Sequence, residues 1–171
     1  MTLPFSTELN GKPTQFVEKI WQGLLTNDLE FSLFDLPNFL DSVPGLKDYK
    51  VGDLPAKLHT IRKDEKDHWR EGRDIHMVIH NRTPNRLQFA PVVKCVSVQK
   101  IEIKEFLMTS TLDCVVVADR IFKVKIDDRW LAADDIQRLS INDGFETIHK
   151  PIWYFNGDFI GKITHWTKLK V

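Results

Sequence analysis

The stretch DIHMVIH, residues 74–80, alternates in polarity as a half-buried β-strand does. The side chains on its apolar face belong to Ile75, Met77 and Ile79. Successive side chains of a strand point to opposite faces, so a period of two predicts that this face packs on the core. His76 and His80 lie on the other face with Val78, and zinc sites usually need a third protein ligand. We therefore expect a structural strand here and no metal site.

Three further segments share this period, so strands are expected to dominate the chain. They are PVVKCVSVQKIEI (residues 91–103), CVVVADRIFKVKID (residues 114–127) and GKITHWTKLKV (residues 161–171). In the first of them, the apolar positions change parity between Val98 and Ile101. A change of parity needs one extra residue in the strand, so the sequence predicts a β-bulge near Gln99 or Lys100.

Two other segments have helical periodicity. GKPTQFVEKIWQGLLTND, residues 11–28, repeats bulky apolar side chains every three or four positions, as an amphipathic helix does. Its apolar row consists of Phe16, Ile20 and Leu24, with Val17 and Trp21 beside them. DRWLAADDIQRLSINDGFETIHKPIWYF, residues 128–155, is also largely helical in character. In this second segment Asp134 is the expected N-cap, and Ile136 and Leu139 share one face.

Together these elements predict an α+β fold. Several short strands with interposed helices fit a small β-barrel decorated by helices better than a doubly wound parallel sheet. Between residues 29 and 55, prolines and glycines interrupt the pattern and predict a short helix with irregular turns. A chain of 171 residues is long enough for one core and short for two, so residues 1–171 are expected to form a single domain.

The composition narrows the classes of function. Lys plus Arg and Asp plus Glu both number 24, so the chain lacks the overall basic excess of many nucleic-acid-binding proteins, and any such contact needs a local patch. No apolar run approaches the roughly 18 residues that cross a bilayer, and MTLPFSTELNGK lacks the features of a leader. We expect a cytoplasmic protein. Cys95 and Cys114 lie in apolar strand-like runs and are expected to be buried thiols.

The segment KLHTIR, residues 57–62, combines groups that suit acid–base chemistry. A lysine acts as a base when burial or a neighbouring cation lowers its pKa, and it then activates a hydroxyl such as that of Thr60. Arg62 would be the neighbouring cation. Lys57 and Thr60 are three positions apart, which places them on opposite faces of a regular strand. The pair therefore requires a turn or a bulge in this segment.

Three short blocks of the chain occur in the order of a known signature. They are KLHTIR with Lys57, Thr60 and Arg62, HWREGRDIHM with Gly72 and Asp74, and SINDGFE with Asp143, Gly144 and Phe145. In this order they resemble the ASCH domain, a member of the PUA-like superfamily. Nearly the full length resembles the ASCH-like proteins of phages and of bacterial genomes that carry prophages. On this resemblance residues 1–54 are an N-terminal helical extension and residues 55–171 are the barrel core.

The resemblance implies a small PUA-like β-barrel with a cleft between the barrel and the helices. ASCH domains are associated with RNA or nucleotide binding, so this cleft would take RNA or a modified nucleoside, with no cofactor or metal. The ligand-binding residues that it implies are Lys57, Thr60, Arg62, Trp69, Asp143 and Gly144. Trp69 would stack on a base. Main-chain N–H groups of a helix beginning after Gly144 would help to hold an anion.

One branch of the same family is an amidohydrolase that removes the acetyl group from acetylcytidine nucleosides. It uses a threonine, a lysine and a glutamate, which by position are Thr60, Lys57 and Asp143 here. Lys57 would then act as a base toward Thr60 or a water, and Asp143 would orient the site. Two positions depart from the signature, because Pro55 replaces its first glycine and Asp143 is one methylene shorter than glutamate.

Each block also has a purely structural interpretation. The Thr60 hydroxyl would bind local main chain, and Arg62 would pair with Asp143 or Asp64 to close a turn. Gly144 would only supply a left-handed turn residue. The tryptophans expected to form core or cleft walls are Trp69, Trp130, Trp153 and Trp166. A third functional class is a phage-encoded interaction protein that has kept the fold without the ligand.

Overall fold

A computed structural model describes residues 1–27, 41, 43, 52–112, 115–146 and 157–168. Within these ranges, residues 107–112 and 115–120 are described by their main chain only. The short helix and turns expected between residues 29 and 55 fall largely outside the described residues, as do Cys114 and Trp153.

Strands outnumber helices in the described part of the chain. The strands are β1 (Thr2–Pro4), β2 (Glu8–Leu9), β3 (Lys12–Pro13), β4 (His59–Arg62), β5 (Asp74–Ile79), β6 (Leu87–Gln88), β7 (Val93–Lys94), β8 (Ser97–Leu112), β9 (Val115–Ile126), β10 (Arg129–Trp130) and β11 (Phe159–His165). The helices are α1 (Phe16–Thr26) and α2 (Ala133–Asn142).

The strands form a five-stranded sheet, which we call the larger sheet, a four-stranded sheet and one small hairpin. The larger sheet has the order β10-β9-β8-β11-β4, and all its neighbours are antiparallel. A second sheet joins β1, β5 and β6, with β7 also paired to β5, and β1 runs parallel to β5. Residues 1–27 thus supply β1 to this sheet as well as helix α1. The α+β class is confirmed, while no closed barrel is found among the described residues, where β4 and β10 remain open edges.

Two clusters of buried apolar side chains hold these layers together. The first joins α1 to β1 and β5 and contains Trp21, Ile75 and Phe89. The second lies between the five-stranded sheet and α2 and contains Ile101, Val124 and Leu139. Burial of this apolar surface is the main favourable contribution to folding, at roughly 25 cal/mol for each Å² removed from water.

Several sequence patterns are confirmed by these clusters. The apolar row of α1 is buried, and Asn27 ends the helix by donating from Nδ2 to the carbonyl of Gly23 at 2.8 Å. The apolar face of residues 74–80 is also buried, although Val78 is buried as well. Cys95 is a buried free thiol, and burial raises its pKa to about 11. No helix in the described ranges has the length and apolar character needed to span a membrane.

Two local predictions are wrong. β8 pairs with β11 in one unbroken register from Ser97 to Ile103, so there is no bulge at Gln99. The apolar pattern misled because Ser97 and Gln99 are buried on the face that carries Ile101, while Val98 packs against the first cluster on the other face. Asp134 is likewise not the N-cap of α2: that position is Ala132, which makes no side-chain cap.

Candidate functional site

Lys57 lies where the two helices and the first strand of the larger sheet meet. Its main-chain N–H donates to the carbonyl of Lys19 in α1 at 2.8 Å. The N–H of the next residue, Leu58, donates to the carbonyl of Asn142 at the end of α2, also at 2.8 Å. β4 begins only at His59, so the alternation of a regular strand does not apply to Lys57. These bonds fix the segment between the helices.

A glycine in α1 permits this close approach. A Cβ atom added to Gly23 would lie 2.7 Å from the carbonyl oxygen of Lys57 and 2.9 Å from Cδ2 of Leu58. Any larger residue would push the helix away from the main chain that carries Lys57. Glycine normally costs a helix about 1 kcal/mol relative to alanine, so its presence here is explained by packing.

Asp143 and Gly144 end helix α2, and the helix expected to begin after Gly144 would fall largely in residues 147–156, which lie outside the described residues. The N–H of Gly144 donates to the carbonyl of Ile141 at 2.8 Å, and that of Phe145 donates to Ser140 at 3.0 Å. Together with the φ of +87° at Gly144, these bonds form a Schellman motif, which needs a left-handed residue at this position. The amides of Gly144 and Phe145 are therefore used within the helix terminus.

Lys57 and Asp143 form a buried ion pair. Their relative exposures are 1% and 3%. Nζ of Lys57 donates to a carboxylate oxygen of Asp143 and to its main-chain carbonyl. Nζ of Lys19, also buried, donates to the carbonyl of Gly144 at 2.9 Å. Both lysines thus lie at the negative end of the dipole of α2, where cations are stabilising.

Burial is the largest influence on the pKa of each partner. It lowers the pKa of Lys57 to about 8, an effect that Asp143 opposes and that the charges of Arg62 and Lys19 increase. It raises the pKa of the Asp143 carboxyl above its ordinary value, against the effect of Lys57 and Arg62. Removal from water disfavours the charged form of either group. Both groups are therefore closer to their neutral forms than they would be in water.

Arg62 adds a further cation at the edge of this pair. Its Nη2 donates to the carbonyl of Pro4 at 2.5 Å, and its guanidinium lies 5.5 Å from the ring centroid of Phe5. Asp64, one of two acids expected to pair with Arg62, accepts hydrogen bonds from main-chain N–H groups and forms an ion pair with Lys162 at 3.3 Å.

These groups line one cleft. Its walls are Ser6, Leu9, Phe16, Lys57, Thr60, Ile61, Arg62, Asp143 and Phe145. The rings of Phe16 and Phe145 meet edge to face, with centroids 5.6 Å apart. Gly144 lies behind the cleft, where an added Cβ would be 3.1 Å from both Cδ of Lys57 and the ring of Phe16. Four of the predicted site residues therefore meet here, and Gly144 packs directly against them.

The remaining predicted site residue, Trp69, does not line this cleft. It belongs to the first core cluster and is 6% exposed, so very little of its ring is open for a base to stack on. This corrects the stacking role expected for Trp69. Trp130, which was also expected to form a core or cleft wall, is instead 50% exposed.

Sequence reasoning missed Lys19 and the aromatic walls. Lys19 and Gly23 are four positions apart on α1, which places them on one helical face beside the apolar row. A lysine and a glycine on a buried helical face are the sequence signal that indicates this site. A buried lysine needs a specific partner, and a buried glycine indicates a close neighbour. The partner of Lys19 lies 125 positions away in the chain, which the spacing does not indicate.

No protein-family model, curated protein or solved structure matches this chain. The resemblance to the ASCH domain therefore depends on the three sequence blocks. The structure brings the first and third blocks together through Lys57 and Asp143, while the second contributes Trp69 to the core.

Proposed function

We propose that this chain is an ASCH-type, PUA-like domain protein whose cleft binds RNA or a modified nucleoside or nucleotide. The observation that carries the proposal is the buried pair of Lys57 and Asp143 in the cleft. Such a pair is costly to desolvate and is not in itself a strong source of stability. Its position in a cleft with Thr60 and Arg62 favours a role in recognising a ligand.

The balance of charge around Asp143 favours an anionic or electron-rich ligand. Among the described residues, the cations Lys19, Lys57 and Arg62 act on this region together with the carboxylate of Asp143. Two of them also bind carbonyls at the end of α2, which a structural role explains. Arg62 binds the carbonyl of Pro4, and its charge also acts on both Lys57 and Asp143. A phosphate or a base carbonyl oxygen would offset this positive excess.

The cleft walls suit a planar group. Phe16 and Phe145 supply aromatic surface next to the polar groups. Proteins that recognise unpaired nucleotides commonly combine aromatic contact with hydrogen bonds to the base edges and cations at the phosphate. A nucleoside base lying against these rings, with its polar edge toward Lys57 and Thr60, would make both kinds of contact.

The affinity for cytidine monophosphate is expected to fall as the pH rises through about 8. An anion stabilises the Lys57 ammonium, so the pKa of Lys57 is higher in the complex than its value of about 8 in the free protein. By linkage, affinity is constant below the free pKa and then falls by up to about tenfold per pH unit. Calorimetric titration from about pH 7 to about pH 9.5 measures this.

The control for this titration is a pair of lysine variants. Lys57→Gln should bind weakly with no step near pH 8, whereas Lys63→Gln, at a lysine that is 68% exposed, should retain the wild-type profile. An affinity of the wild-type protein that stays level up to about pH 9.5 would contradict the role given to Lys57.

A second candidate function, hydrolysis of an acylated cytidine nucleoside, is favoured by the lowered pKa of Lys57. With a pKa of about 8, part of the lysine is neutral near pH 7 and is able to take a proton from Thr60 or a water. Asp143 would hold the amine in place. The turnover of such an enzyme rises with pH through about 8, which is the opposite of the trend in affinity.

Release of acetate from acetylcytidine, followed by chromatography, tests this candidate. Lys57→Ala and Thr60→Ala are each expected to lower the rate by about 10²–10⁴-fold, the usual contribution of a positioned base or nucleophile. Thr83→Ala, at an exposed threonine outside the cleft, is the matched control and should leave the rate unchanged. Equal rates in all four proteins would exclude these roles for Lys57 and Thr60.

A further inference from the structure

One face of the larger sheet is open to solvent at the end away from the cleft. We call it the outer face and define it by Glu102, Lys104, Phe106, Lys123, Lys125, Trp130 and Ile160. The opposite face of the same strands is buried under α2 by the second core cluster. Large apolar side chains nevertheless remain exposed on the outer face: Trp130 by 50%, Phe106 by 44% and Ile160 by 65%. No outer-face residue lines the cleft.

The strand register places these side chains in adjacent rows. Trp130 is opposite Lys125, which is opposite Glu102, and Glu102 is in turn opposite Ile160. Directly opposed residues of antiparallel strands project to the same side. Phe106 lies four residues beyond Glu102 on β8, so its row is roughly 14 Å from that of Trp130. The two exposed rings are therefore far enough apart to contact different groups.

The row between them contains two lysines that face each other. Lys104 and Lys123 are directly opposed in the β8–β9 register. Like charges in this arrangement destabilise a sheet. Neither lysine forms an ion pair with a described residue, whereas Lys125 pairs with Asp128 at 2.9 Å. Nζ of Lys123 lies 5.4 Å from the ring centroid of Phe106, so the charge and the ring form one surface. This costly pair would be neutralised by an anion.

We propose that the outer face binds a single-stranded nucleic acid. Its phosphates would lie against Lys104 and Lys123, and its unpaired bases would stack on Trp130 and Phe106. Exposed aromatic rings interleaved with unpaired cations on an open sheet provide the two contacts that single strands need. The cations of the outer face form a local group, so this surface is compatible with the zero net charge of the whole chain. The residues of the outer face lie on β8, β9, β10 and β11 and none of them lines the cleft, so its partner does not depend on the ligand of the cleft.

Fluorescence anisotropy with labelled oligonucleotides of U and of dT, about twelve nucleotides long, tests this proposal at several salt concentrations. The double variant Lys104→Glu/Lys123→Glu is expected to lose at least about tenfold in affinity. Its plot of log affinity against log salt should be shallower by about 1.4, the value for two phosphate contacts on a single strand. The control Lys66→Glu/Lys94→Glu makes the same change in net charge at exposed lysines off this sheet.

Trp130→Ala separates stacking from charge. It is expected to lower affinity by about tenfold without changing the salt slope, because it removes a base contact and no phosphate contact. The proposal would be overturned if Lys66→Glu/Lys94→Glu lost as much affinity as Lys104→Glu/Lys123→Glu. It would also be overturned if the wild-type protein did not bind the oligonucleotides at about 100 µM. A concentration-dependent dimer that Trp130→Ala abolishes would also overturn it, since a second copy would then cover the face. Cytidine monophosphate binding, measured in the same variants, should be unchanged.

Discussion

Replacing Asp143 by alanine is expected to destabilise the folded protein by about 3–5 kcal/mol. The carboxylate is buried and accepts from Nζ of Lys57, and it is the group that raises the pKa of this lysine against burial. Without it, Lys57 remains in a dry site beside Arg62 and Lys19, and no other carboxylate among the described residues raises its pKa. The lysine must then be neutralised or take water into the core, and either change costs free energy.

Urea unfolding at neutral pH measures this loss. The matched control is Asp74→Ala, because Asp74 also pairs with a lysine, Lys94, but both side chains are at least half exposed. Surface pairs contribute little, so the control should unfold at the wild-type urea concentration. The double variant Lys57→Met/Asp143→Leu should be far more stable than Asp143→Ala, because it removes both charges together. A urea midpoint for Asp143→Ala close to that of Asp74→Ala would contradict the conclusion that Lys57 and Asp143 form a buried ion pair.

Replacing Trp21 by alanine is expected to cost about 3–5 kcal/mol, as for other large aromatic side chains removed from a core. Trp21 is 1% exposed and lies in the cluster that joins α1 to the four-stranded sheet. Its Nε1 donates to the carbonyl of Phe89 at 2.9 Å. The substitution therefore removes apolar contact and also leaves a buried carbonyl unpaired. Because α1 carries Lys19 and Gly23, the cleft should loosen together with the helix.

Two further variants separate the contributions of Trp21 in the same unfolding experiment. Trp21→Phe keeps an aromatic ring but removes the donor, and it should cost about 1–3 kcal/mol. Trp130→Ala is the matched control, because Trp130 is half exposed and surface substitutions usually change stability by no more than about 0.5 kcal/mol. Trp21→Ala should thus be the least stable of the three. If Trp21→Ala unfolds at the same urea concentration as Trp130→Ala, the Trp21 side chain does not anchor α1.

The sequence was most informative where one face of an element is apolar along its whole length. Helix α1 and strand β5 were predicted because their buried positions repeat with periods that the backbone itself imposes. The prediction of a bulge failed near Ser97 and Gln99, because β8 is covered on both faces. One face contacts the first core cluster and the opposite face contacts the second. Where both faces are covered, the apolar pattern no longer identifies the inner face.

The sequence by itself determined the α+β class, the helical row of α1 and the candidate chemistry of Lys57, Thr60 and Asp143. These follow from residue types and short spacings. Tertiary structure alone decided that Lys57 meets Asp143, 86 positions away, that Trp69 is buried while Trp130 is exposed, and that Gly144 ends a helix. The physical reason is that periodicity encodes which side of an element is apolar, whereas packing between distant elements sets which polar groups share a dry site.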